Sequence, residues 1–141
     1  MNVLEHVRDP FRCASEIARV VRPGGRLYAS APFLQPYHGF PHHYYNMTAS
    51  GLENLFSDAF WVDQLQTPGS AVPIFSLSWF LNSYVAGLPA AVAARFRKLT
   101  VDELMKPPEE YLEDDFVTEL RTSTNIELAS GCMLIGTRRT A

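Results

Sequence analysis

Cysteine is scarce in this sequence: only Cys13 and Cys132 are present, far apart and in unlike surroundings. Neither belongs to a CxxC pair, which excludes a disulfide framework and a zinc-finger spacing. Both read as small buried hydrophobes. Charge of one sign is lacking as well. Lys and Arg number 12 against 15 Asp and Glu, a formal net charge of −3. No basic stripe runs along the chain to grip a phosphate backbone, so no nucleic-acid partner is expected. Repeats and low-complexity tracts are missing. The opening residues include Glu5, His6, Arg8 and Asp9, which excludes a secretory apolar region there. Free thiols without a framework suit a reducing compartment, and the cytoplasm is the expected location.

What is present is an ordinary globular composition. A chain of 141 residues, 47% of them hydrophobic, can bury the core of a single domain, and no internal boundary shows. Asp9 is placed as an N-cap with Pro10 at the first helical position, where its missing N–H is harmless. Phe11, Ala14, Ile17, Ala18 and Val21 recur at helical spacing and define one apolar face. Pro23-Gly24-Gly25 ends that helix, and reads as a helix-to-strand turn rather than a phosphate cradle. Residues 26–31 form a short apolar run read as a buried strand, closed by Pro32. A loop rich in proline and aromatic residues follows, carrying His38, His42, His43, Tyr44 and Tyr45.

Thr48 caps the next helix, with Met47 and Leu52 as its hydrophobic staple. Residues 60–66 read as a second strand. The stretch 71–94 is the most apolar, and reads as a buried or substrate-capping helix, with membrane-surface contact the lesser option. Thr100 and Glu103 make a capping box. Tyr111, Leu112, Phe116, Val117 and Leu120 predict a further amphipathic helix, and residues 126–137 a last strand. Alternating helices and strands imply an α/β layer architecture with a mainly parallel sheet. Ligands then sit off the carboxyl ends of the strands.

The run Val3-Leu4-Glu5-His6-Val7, Asp9-Pro10, then Glu16-Ile17-Ala18-Arg19-Val20-Val21-Arg22-Pro23-Gly24-Gly25-Arg26-Leu27 resembles the class I S-adenosylmethionine (SAM) dependent methyltransferases of the type 11 subgroup. There it is similar to the stretch from the fourth strand to the fifth. The likeness continues through Pro32, His38, Pro41, Tyr44 and Tyr45 to the Thr48, Gly51, Leu52 helix, and residues 126–137 would close the sheet as an antiparallel strand. The resemblance implies a partial Rossmann-like sheet with flanking helices, its first three strands absent. The whole of 1–141 would be the C-terminal part of such a domain, with a helical insertion around 71–121.

The family's function implies SAM as cofactor and an unidentified, small-molecule or other, methyl acceptor. By the same resemblance Leu4, Glu5 and His6 contact the cofactor, while Pro32, His38, Tyr44 and Tyr45 line the substrate pocket. A helix-capping role for Glu5 and His6 stands beside that reading. The family's Gly-rich loop after the first strand and its ribose-binding carboxylate have no counterpart here, so the chain alone is expected to lack a complete cofactor site. The alternative is a non-catalytic, methyltransferase-like interaction subunit. No metal is expected: the His-rich loop contains no Asp or Glu to complete a ligand set. An exposed strand edge at Met1 to Leu4 would favour self-association.

Overall fold

The computed structural model describes residues 3–39 and 41–138. Two compact units divide the chain, Met1–Phe80 and Leu81–Ala141. The first opens with a 3₁₀ turn, Leu4–His6, and continues into helix α1, Pro10–Val20. The Asp9 carboxylate accepts from the Arg12 N–H at 2.9 Å, and Pro10 occupies the first turn, as the sequence predicts. The helix stops before a tight turn in which the Gly25 N–H reaches the Arg22 carbonyl at 2.8 Å. Gly24 sits third in that turn with φ +75°, a conformation that glycine takes without a Cβ penalty.

Helix α2, Ala49–Phe56, begins at Thr48, whose hydroxyl accepts from the Gly51 N–H at 3.0 Å. α1 packs on α2. Between them lies a small core of Leu4, Ala14 and Phe56, against which Cys13, Ile17, Leu27, Met47, Leu52 and Phe60 pack. Met47 and Leu52 thus meet the same core, as a staple requires. Phe11, expected on the buried face of α1, is exposed. It lies in the first turn and lines a groove with Gly51, Asn54 and Leu55 of α2.

A short 3₁₀ turn, Gly69–Ala71, leads to helix α3, Pro73–Ala86, which carries no buried residue. The second unit holds α4, Ala90–Phe96, and α5, Val101–Leu104. A 3₁₀ turn, Pro108–Tyr111, then precedes α6, Asp115–Thr118, and α7, Thr122–Leu128. Its core is Leu88, Val92, Ala93 and Phe96, with Tyr84, Leu99, Leu104, Phe116 and Leu120 packed around it. Phe96 stacks on Tyr84 with centroids 5.0 Å apart and lies 5.3 Å from Phe116. The Tyr84 hydroxyl donates to the Phe116 carbonyl at 2.9 Å, and burial pushes its phenol pKa up. Arg95 pairs with Asp115, tying α4 to α6. The capping box forms as predicted, with Thr100 and Glu103 exchanging hydrogen bonds.

The α/β expectation is overturned. Among the described residues there is no strand and no sheet, so no partial Rossmann-like layer exists in them. A strand is defined by a partner about 4.8 Å away that takes up its backbone N–H and C=O groups. Residues 26–31 and 60–66 belong to no helix or strand, and segments of both line a cavity of about 240 Å³ rather than a ladder. Tyr28 and Trp61 point to solvent, Trp61 at 97% exposure. Residues 126–137 divide: Ile126 and Leu128 complete α7, and Met133, Leu134 and Ile135 are exposed, Leu134 at 89%. A short apolar run is ambiguous between helix and strand by periodicity alone, and neighbours decide it.

Other expectations are corrected at the same level. Val3 precedes the 3₁₀ turn and Leu4 is buried inside it, so neither offers a strand edge; Met1 and Asn2 lie outside the described residues. Cys132 is exposed and Cys13 half-buried. The stretch 71–94 forms two helices separated at residues 87–89, and α3 is not buried. Its 14 residues span about 21 Å against the roughly 30 Å of a bilayer core. No helix among the described residues is long and apolar enough to cross a membrane. The amphipathic helix read through Tyr111 to Leu120 is broken into a 3₁₀ turn and the single turn of α6.

Candidate functional site: a carboxylate beneath three imidazoles

The 3₁₀ turn at Leu4–His6 sets the site. Leu4 drops its side chain into the core, which holds the turn in place. Glu5 is 0% exposed. Its backbone carbonyl accepts from two successive amides of the aromatic loop, Tyr44 at 2.7 Å and Tyr45 at 3.3 Å. The Tyr45 hydroxyl donates to the Arg8 carbonyl at 3.1 Å, and the Met47 N–H closes the loop onto the Pro32 carbonyl at 2.8 Å. The loop is folded tightly on itself at Gly39, where a Cβ would collide with the backbone of His42 and His43.

This folding gathers imidazoles over the Glu5 carboxylate. His6 Nε2 lies 3.6 Å from Glu5 Oε1, and His38 Nε2 lies 4.0 Å from the same atom. His6 and His38 meet edge to face at 5.5 Å, and His43 closes the group at 4.3 Å from His38 and 5.7 Å from His6. Trp79 backs His38 at 5.3 Å, and Tyr37 stacks on His43 at 5.6 Å. Both oxygens of Glu5 are buried without a hydrogen-bond partner.

The hydrogen bonds fix the tautomers. His6 Nδ1 lies 2.7 Å from the His42 carbonyl, and His38 Nδ1 lies 2.8 Å from the Pro36 carbonyl. A carbonyl only accepts, so each Nδ1 carries a proton, and Nε2 is the ring nitrogen that each imidazole turns toward Glu5. His43 is arranged the other way. Its Nδ1 accepts from the His38 backbone N–H at 3.3 Å, and its Nε2 donates to Asn46 Oδ1 at 2.8 Å. Asn46 in turn donates to the Gln35 carbonyl at 3.0 Å. Burial, then the neighbouring His38 and His6, hold the His43 pKa below the usual histidine value.

Of the residues picked out from sequence, Glu5, His6 and His38 are brought together. Leu4 is a core residue whose side chain faces away from the cluster's open side. Pro32 is buried and contributes a loop-closing carbonyl. Tyr44 and Tyr45 are pinned through their amides, with partly exposed rings. Tyr45 also faces a groove of about 730 Å³ shared with Arg8, Phe11, Asn46, Met47 and Asn54. His43 was read among the loop histidines but not as the brace it is, and Asn46 was missed. Nothing in the sequence marks Asn46, because its role depends on Gln35 and His43 folding against it.

Comparison with known proteins adds one match. Residues 1–29, about a fifth of the chain, match a family model described as a methyltransferase domain. The segment contains the Glu5-His6 turn and all of α1. The match stops short of the aromatic loop. It supports neither the likeness beyond residue 29 nor the reading of the chain as the C-terminal part of the domain. No curated protein and no solved structure matches the chain.

Proposed function

We propose, from the premise that residues 1–29 carry a methyltransferase-domain sequence, that this chain serves methyl transfer from SAM to an acceptor received at the histidine and aromatic loop. One observation carries the reading. The Glu5 carbonyl in the matched segment holds the amides of Tyr44 and Tyr45, so the family segment and the loop build one site.

The described residues do not form a full cradle for SAM. The positive-φ glycine among them, Gly24, lies in the turn after α1, and the buried Glu5 carboxylate is covered by His6 and His38. His6 is the member of the predicted cofactor set whose side chain is open to a ligand, at 34% exposure. SAM supplies a methyl already activated on sulfur, and the protein's part is to orient an acceptor and keep water away. This part is assigned to Tyr44, Tyr45 and His38; the partly exposed tyrosine rings and the partly exposed His38 side chain support the assignment. The adjacent groove has room for an acceptor of small-molecule size.

Contact from one side gives weak binding. S-adenosylhomocysteine added to the folded chain is expected to bind saturably with a Kd of about 0.1–1 mM. The NMR signals of His6 and Tyr45 should shift, and His6→Ala should weaken the binding. A folded chain whose His6 and Tyr45 signals ignore the ligand would overturn the proposal and leave a non-catalytic relative.

A further inference from the structure

We infer that Glu5, His6 and His38 bind one divalent transition-metal ion, of the Zn2+ or Fe2+ class, with His43 bracing the site. The inference stands on the geometry of the cluster, whether or not the chain transfers methyl groups.

One donor atom from each of the three residues falls within 4.8 Å of the other two. With the measured 3.6 and 4.0 Å separations, a point equidistant from all three lies about 2.0–2.5 Å from each. Metal–nitrogen and metal–oxygen bonds in zinc sites are about 2.0–2.2 Å, so small side-chain adjustments complete the coordination. The three atoms are also of the right kind. With Nδ1–H committed to a backbone carbonyl, each imidazole leaves Nε2 as the nitrogen available to a metal. The Glu5 oxygens are acceptors without a donor.

The Glu5 carboxylate is therefore buried without a hydrogen bond beside two imidazole nitrogens, a setting that a cation among them stabilises. The bonds from Nδ1 to the His42 and Pro36 carbonyls are also the outer-shell contacts that orient metal-binding imidazoles.

Two imidazole nitrogens and one carboxylate oxygen suit Zn2+ or Fe2+ better than Mg2+ or Ca2+, which favour all-oxygen sets. Three protein ligands leave a coordination position free. The His6 and His38 side chains are 34% and 20% exposed, so the cluster is open to solvent on their side. An oxygen or nitrogen of a small molecule is the chemistry such a position accepts. The loop itself holds no Asp or Glu, as its sequence shows. The carboxylate comes from Glu5, on a different element 33 positions away from His38.

His43 is not a fourth ligand. Both its ring nitrogens are engaged, one by the His38 backbone N–H and one by Asn46, so it fixes His38 in place.

The test uses the untagged chain, stripped with a chelator and titrated with Zn2+ in competition with a chromogenic chelator. Circular dichroism confirms the fold of each variant. One ion per chain is expected, with affinity falling about 100-fold or more in Glu5→Gln and His38→Ala. Cys132→Ala, which removes an exposed thiol outside the cluster, should keep the affinity. Should the buried Glu5→Gln variant fail to fold, the partly exposed His38→Ala decides. A folded chain that takes up no Zn2+, or binds it equally well without the His38 imidazole, overturns the inference. Neither result depends on S-adenosylhomocysteine, so the outcome is separate from that of the methyltransferase test.

Discussion

Asn46 shows how a residue with no sequence signature becomes part of a site. It joins His43 Nε2 to the Gln35 carbonyl, and through His43 it steadies the backbone of His38. Asn46→Ala leaves a ring N–H and a carbonyl without their partner, though water reaches both in part. The expected cost is about 0.5–1.5 kcal/mol, read as a lower urea midpoint at unchanged slope. The His38 and His43 ring signals should broaden in the same variant. His38 and Glu5 were legible as residues of interest, but not as partners. Their separation along the chain is bridged only when the amides of Tyr44 and Tyr45 settle on the Glu5 carbonyl.

Helix boundaries follow local chemistry closely. Asp9, Thr48 and Thr100 each accept from an N–H three residues on, so their capping roles need nothing beyond the neighbouring turn. Thr48→Ala should destabilise the first unit by about 1 kcal/mol, measured by denaturant unfolding, whereas Thr48→Ser should be close to neutral.

At α5, the Thr100 N–H and then its hydroxyl donate to the Glu103 carboxylate and hold its pKa below 4.5. A lowered carboxyl pKa contributes stability that is complete above the unfolded value and is lost as pH falls through the folded one. Helicity of α5 should therefore decline on acidification below about pH 4.5. A Glu103→Gln chain should lack that part of the pH response, as followed by the amide signals of residues 101–104.

For the molecule as a whole, large aromatic side chains differ widely in how far they are buried. Phe96 is buried among Tyr84, Phe116 and the apolar face of α4, and Phe96→Ala should cost about 3–5 kcal/mol in thermal or urea unfolding. Trp61, almost fully exposed, has little to lose. Trp61→Ser should stay within about 0.5 kcal/mol of the parent, although tryptophan is the larger residue. The segments outside any helix also leave Tyr28, Met133, Leu134 and Ile135 open to solvent. Exposed apolar segments attract one another, so sedimentation should show association that rises with chain concentration. A chain that stays monomeric across a wide concentration range would contradict this.

By itself the sequence determined the caps of α1, α2 and α5, the turn at Gly24 and the methyltransferase likeness of its opening segment. Each of these depends on residues within a few positions of one another, or on a short ordered run of them. The tertiary structure alone decided two things. Residues 26–31, 60–66 and 131–137 remain outside any sheet among the described residues, because a strand requires a backbone partner that no local pattern supplies. The cluster of Glu5, His6, His38 and His43 likewise forms only when loop and turn exchange hydrogen bonds. A buried carboxylate oxygen and two imidazole nitrogens then lie within 4.8 Å of one another, and that convergence is a property of folding rather than of spacing.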